Sequence, residues 1–136
     1  MYLSLAHICI QTDDLEKTTH FYCDILGMTR VFDFKKNGEV IGFYLRMTEG
    51  NFIEVYLEKD APCGTGGAYR HISFESRDID GCYSALKREG VEISGIQIGP
   101  DHTYSFQCKD PNGVEIEILQ YTGASCQLTG TDCELS

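Results

Sequence analysis

One pattern constrains this chain more than any other: the same segment occurs twice. His7-Ile8 is followed by Asp14-Leu15-Glu16, and His71-Ile72 by Asp78-Ile79-Asp80, with the aspartate seven positions after its histidine in both copies. Leu26-Gly27 closes the first helical pattern and Glu89-Gly90 the second. Each half then ends on a strand pattern that carries a glutamate. Glu54 stands 47 positions after His7, and Glu117 stands 46 after His71. Two copies are too few for a solenoid, so the repeat points to two similar halves closing around one site.

The clearest of these strands follows Asp110-Pro111-Asn112-Gly113. That is turn chemistry, because proline fixes φ and glycine supplies a positive one. Val114, Ile116 and Ile118 then fall on one face, and Glu115, Glu117 and Leu119 on the other. A carboxylate in the middle of a short apolar strand needs a partner, since burying an unpaired charge is costly. His7, Glu54 and His71 supply candidates, each on a strand of its own. Taken singly, a histidine opening a strand or a glutamate within one has an ordinary structural explanation. As two His/Glu pairs at matching places in a repeat, they form a ligand set for one divalent metal ion. His20, in a helical pattern, and His102, in a loop, take the ordinary reading.

The local patterns predict an α+β fold of two βαβββ modules. In the first, a strand over residues 3–11 leads to a helix with Asp13 as N-cap and Glu16 completing a capping box. Leu15, Thr18, Phe21, Tyr22, Ile25 and Leu26 form its apolar stripe, and Gly27 ends it. Strands follow at 29–34, 40–47 and 51–57, the first two joined by an Asn37-Gly38 hairpin. A glycine-rich linker spans 59–68. The second module has a strand at 70–75, a helix at 78–89, and strands at 92–98, 103–109 and 114–121. One domain, 1–121, is thus built of repeats 1–60 and 69–121. The tail, 122–136, lacks a period and is expected to lie on the surface or fray. The strand face opposite the candidate ligands is apolar throughout, while the ligand face mixes Cys9, Gln11, Phe52, Tyr56, Ser73 and Glu75 among others. Such a sheet, dry on one side under helices, is expected to curl into an open cup with the metal on its concave side.

At 136 residues the chain is long enough for one core of its own. A net charge of −10 argues against nucleic acid as a partner. No run of about 18 apolar residues suggests a membrane span, and no secretory signal is expected at the N-terminus. Seven cysteines, none in a Cys-x-x-Cys, read as reduced cytoplasmic thiols. Most are expected to be buried as small hydrophobes, and none lies in a nucleophile motif.

Through His7-Ile8, Asp14-Leu15-Glu16, Phe21-Tyr22, Leu26-Gly27-Met28, His71-Ile72 and Asp110-Pro111-Asn112-Gly113 to Glu117, the sequence resembles the vicinal-oxygen-chelate superfamily. Within it, the sequence is similar to the short bacterial glyoxalase I (lactoylglutathione lyase) type. The resemblance spans about residues 3–121. It implies His7, Glu54, His71 and Glu117 as metal ligands, Glu117 as the catalytic base with Glu54 able to share the role, and nickel or cobalt as the metal. The donor set alone equally suits zinc, manganese or iron. The resemblance also implies a homodimer with sites at the subunit interface, although the linker could let both halves build a site within one chain.

The implied reaction acts on a small-molecule substrate, the hemithioacetal of a 2-oxoaldehyde such as methylglyoxal and a thiol. Its two vicinal oxygens fill open metal positions, and a carboxylate moves a proton between adjacent carbons through an enediolate. Gln11 stands where glutathione-using members carry a basic residue, and Glu58 where they carry an amide, so the resemblance speaks to the metal chemistry rather than to glutathione as the thiol. Rival readings are another enzyme of this superfamily, an epimerase or dioxygenase, and a non-catalytic binder of metal or small molecules.

Overall fold

A computed structural model describes residues 1–61, 64 and 68–136. Pro62, Cys63, Thr65, Gly66 and Gly67 of the expected linker lie outside the described residues. The chain divides into two compact units, Met1–Cys63 and Gly64–Ser136.

In the first unit, β1 (His7–Thr12) leads into α1 (Leu15–Thr19), which winds on as a π-helical segment, His20–Ile25. A meander of β2 (Thr29–Lys36), β3 (Glu39–Thr48) and β4 (Asn51–Leu57) follows. The sheet order is β1-β4-β3-β2, with β1 parallel to β4 and the other pairs antiparallel. The second unit repeats this plan. Its β5 (Ile72–Glu75), α2 (Ile79–Arg88), β6 (Gln97–Ile98), β7 (Tyr104–Lys109) and β8 (Glu115–Gln120) form a sheet of order β5-β8-β7-β6. The repeat in sequence is therefore a repeat in topology, and the α+β fold of two βαβββ modules stands.

Local chemistry explains the turns. Lys36 pairs with Glu39 around Asn37 and Gly38, whose φ values of 52° and 81° are those of a two-residue hairpin of mirror-image type. The Asp110 carboxylate accepts from the backbone N–H of Asn112 and Val114, both at 2.8 Å, and from the Asn112 amide at 3.2 Å. Hydrogen bonds to a charged acceptor contribute about 1.5–3 kcal/mol each when buried, and Asp110 is buried. This closed turn sets where β8 starts, and with it the face on which Glu117 falls.

Apolar packing follows the period-two pattern. Ile10, Ile53, Val55, Ile72, Val114, Ile116 and Ile118 are buried, whereas Ile8 and Phe74 are half-buried and Leu57 is exposed. Each fully buried side chain of this size contributes about 1.5–3 kcal/mol. Helix α2 lies against β7 and β8. Its first backbone N–H, at Ile79, donates to the Gln120 side chain at 2.8 Å, and Tyr83 meets Phe106 edge to face.

Several boundaries differ from expectation. Strand β1 starts at His7 rather than residue 3, because its pairing with β4 begins there, His7 opposite Phe52. The N-cap of α1 is Asp14, not Asp13. Its carboxylate accepts from Lys17 N at 3.0 Å, while Thr12 Oγ1 holds the Asp14 backbone. The expected strand 92–98 shrinks to Gln97–Ile98 with an isolated bridge from Ile93 to Cys108. There the Ser94 hydroxyl takes the Gln107 N–H that a strand carbonyl would accept.

The tail, expected to lie on the surface or fray, is mostly exposed but is held at its start rather than frayed. Cys126–Thr129 forms a short helix, α3. Ser125 is fully buried, accepts from Thr103 Oγ1 at 2.9 Å and donates to the His102 carbonyl at 3.1 Å. Gln127 donates to the Asp101 carboxylate at 2.6 Å and holds its pKa below the usual carboxylate range. Most cysteines are not buried hydrophobes either: of the six described, only Cys108 is buried.

Candidate metal centre

In the first unit three rows of side chains cross one face of the sheet, as the strand register dictates. His7, Phe52 and Arg46 make the first row; Cys9, Glu54, Tyr44 and Phe32 the second; Gln11, Tyr56, Gly42 and Phe34 the third. His7 and Glu54 are therefore diagonal neighbours on the same face. The Tyr44 hydroxyl lies 3.0 Å from His7 Nδ1, and its ring stacks on Phe32 at 4.9 Å between centroids. Phe34 and Tyr56 stack at 4.7 Å over Gly42. A Cβ at Gly42 would stand 2.3 Å from the Val55 carbonyl oxygen and meet both rings, so glycine lets the aromatic layer close there.

Cys9 flanks Glu54 on its other side. Burial, then a hydrogen bond to the Glu54 carboxylate and the charge of that carboxylate, push its thiol from an ordinary 9.0 to about 11. At neutral pH Cys9 is an S–H donor to Glu54 and not a thiolate.

In the second unit His71 stands immediately before β5, with Nε2 3.6 Å from Glu117 Oε2. Ser73 and Gln107 are the ladder neighbours of Glu117 on either side. Ser73 Oγ donates a short hydrogen bond to Oε2, and Gln107 Nε2 donates to Oε1 at 3.3 Å. A cavity of about 310 Å³, lined in part by Ser94, Gln107, Lys109 and Glu115, adjoins this cluster through Gln107. Glu115 pairs with Lys109 at 3.3 Å. His20 pairs with Asp24 on the helix surface at 2.9 Å, and His102 sits in a turn at φ 62° with its carbonyl bound by Thr122 and Ser125. Both keep the structural reading.

Each unit thus gathers one of the two expected His/Glu pairs on one sheet face. Among the described residues no group of three or more His, Cys, Asp and Glu side chains that could hold a metal is assembled. The donors that are present fit such an ion. Two ligands on neighbouring positions at about 2.1 Å from a metal stand about 3 Å apart, close to the separation of His71 and Glu117. The residues missed by sequence reasoning are Phe32, Phe34, Tyr44 and Gln107. The signal for Phe32 and Phe34 was their alternation along β2; Tyr44 had no face assigned from the sequence, and Gln107, on β7, left no signal.

Similarity to known proteins accords with this arrangement. The model of the Glyoxalase/Bleomycin resistance protein/Dioxygenase superfamily matches residues 4–118. The chain belongs to this superfamily. A protein of Vibrio parahaemolyticus named "Probable lactoylglutathione lyase" is 29% identical over 134 residues, covering 93% of this chain and 96% of that relative. The crystal structure of a glyoxalase family protein from Enterococcus faecalis is similar in fold at a TM-score of 0.74 and 18% identity, over 85% of this chain and 96% of that one. So is TnmS3, an antibiotic binding protein from Streptomyces, at 0.72 and 19%, over 90% and 99%. One fold is thus shared with a glyoxalase family protein and with an antibiotic binding protein, and the fold alone does not decide the chemistry.

Proposed function

We propose that the protein is a metal-dependent lyase of the glyoxalase I kind, acting on the hemithioacetal of a 2-oxoaldehyde and a thiol. The observation that carries this reading is the presence of a His/Glu pair at the same place in both halves, His7 with Glu54 and His71 with Glu117, each on one sheet face. The four residues together would hold one divalent ion, nickel or cobalt by family resemblance, which supplies Lewis-acid charge to two vicinal oxygens.

The chain's own part is the proton. Glu117 accepts it from the carbon bearing hydroxyl and sulfur and returns it to the neighbouring carbonyl carbon, while the hydroxyl proton passes to the former carbonyl oxygen, so that an α-hydroxy thioester results with no redox partner consumed. Glu54 serves the opposite side of the substrate. The stacked rings of Phe32 with Tyr44 and Phe34 with Tyr56 give the face beside Glu54 an apolar lining. The acidic chain and Gln11 favour a thiol other than a highly anionic one. Six described cysteines are free thiols, which supports a reducing, cytoplasmic setting. The family resemblance also supports a homodimer with two shared sites.

The stacked aromatic face equally suits a protein that holds a planar molecule without turning it over. One experiment separates the two: protein reconstituted with nickel or cobalt is assayed on methylglyoxal premixed with a panel of thiols. Metal-dependent formation of thioester supports the lyase. Metal uptake without thioester from any thiol rejects it in favour of the binder.

A further inference from the structure

We propose that the residue facing each glutamate across the antiparallel ladder is a positioning residue, and that the two halves use it on opposite ligands. Tyr44 orients the imidazole of His7, whereas Gln107, together with Ser73, fixes the carboxylate of Glu117. The assignment rests on the metal reading above and adds three residues to it.

The two places are equivalent by register. Tyr44 pairs with Glu54 in β3–β4 as Gln107 pairs with Glu117 in β7–β8, and Cys9 flanks Glu54 in β1 as Ser73 flanks Glu117 in β5. The side chains at these places do different work. The Tyr44 phenol passes over its own row to reach His7 Nδ1 at 3.0 Å. Its ring is held by Phe32 on one side and Phe52, at 5.2 Å, on the other, so little rotamer freedom remains to be lost.

A neutral imidazole carries one N–H. With that proton on Nδ1, donated to the phenol oxygen, the lone pair is left on Nε2 for a metal. Nε2 is also the nitrogen that His71 turns toward Glu117. Ligating histidines generally donate their second ring N–H in this way.

In the second half Gln107 presents a donor amide, and it goes to the carboxylate. Glu117 holds a donor on each oxygen, Ser73 on Oε2 and Gln107 on Oε1. Two donors on two strands prevent the carboxylate plane from rotating. Glu54 has Cys9 in the equivalent place, and a thiol is a weaker donor than a hydroxyl. One half therefore presents a fixed imidazole, and the other a fixed carboxylate.

The test has two arms. Nitrogen-15 NMR of the metal-free protein, labelled at histidine and assigned with His7→Gln, reads the His7 tautomer at a pH where the ring is neutral. The proton is expected on Nδ1 in the wild type, and Tyr44→Phe shifts the population toward Nε2–H. A wild-type ring protonated on Nε2 overturns the Tyr44 assignment, whether or not metal binds. The second arm is a cobalt titration followed by visible absorption. Tyr44→Phe, Ser73→Ala and Gln107→Leu are each expected to weaken cobalt binding by about ten- to a hundredfold, and Ser73→Thr, which keeps the hydroxyl, to retain wild-type affinity. Variants that bind cobalt with wild-type affinity and spectrum overturn the positioning assignment alone. Wild-type protein that takes up no cobalt overturns the metal reading itself.

Discussion

His71 and Glu117 face each other, Nε2 to Oε2, at 3.6 Å, although they come from opposite ends of the second half. Strand β8 returns parallel to β5 and sets Glu117 beside Ser73, two residues beyond His71. The pair is thus a product of topology, and the proposed chemistry divides it: the imidazole holds metal, and the carboxylate holds metal and carries the proton. Glu117→Gln is therefore expected to lower turnover by about a hundredfold or more while losing less metal than His71→Ala, because an amide oxygen still ligates weakly but cannot take a proton. Metal content and thioester formation measured on both variants check this. Wild-type turnover in Glu117→Gln would remove the base assignment.

A site shared between two subunits makes a sharper demand. Mixing His7→Ala subunits with His71→Ala subunits gives a mixed dimer in which one shared site lacks both histidines and the other is intact. Activity absent from each variant alone is expected to return on mixing. If mixed dimers form, as native mass spectrometry can verify, and activity stays absent, each site lies within a single chain.

Gly42 supports the aromatic face. Adding a methyl group there brings a Cβ to 2.3 Å from the Val55 carbonyl oxygen and against the Phe34 and Tyr56 rings. Overpacking of this kind costs about 1–3 kcal/mol. Gly42→Ala is expected to lower the urea midpoint accordingly, with the slope unchanged; an unaltered midpoint would mean the strands shift freely at this position.

Cys108 gives the protein a pH dependence on the alkaline side. Burial first, then the negative charges of Asp110 and Glu115, raise its thiol from 9.0 to about 11. The folded state therefore keeps a proton that the unfolded chain releases near pH 9. The stability this contributes is fully present below about pH 9 and is lost as pH rises toward 11. Urea midpoints at pH 8 and pH 10.5 should fall more steeply for the wild type than for Cys108→Ala. Equal slopes would show that Cys108 titrates normally.

Much of the fold was legible from residues close in sequence. The hairpin at Asn37-Gly38, the turn at Asp110-Pro111-Asn112-Gly113 and the alternation that buries Ile53, Val55, Ile116 and Ile118 all rest on φ preferences and a two-residue period. The π-helical segment His20–Ile25 left no such mark. It buries Phe21 and Tyr22, and the apolar stripe that contains them reads equally well as an ordinary helix.

By itself the amino-acid order determined the two-fold repeat, the strand faces and the two His/Glu pairs, because side-chain period and turn chemistry act over a few residues. Only the tertiary structure decided which face Tyr44 takes, that Gln107 and Ser73 share Glu117, and that the tail docks through Ser125 on Thr103 and His102. Those outcomes depend on strand register and on hydrogen bonds between residues distant in sequence. No local propensity encodes them; the sheet must first form to bring the partners within reach.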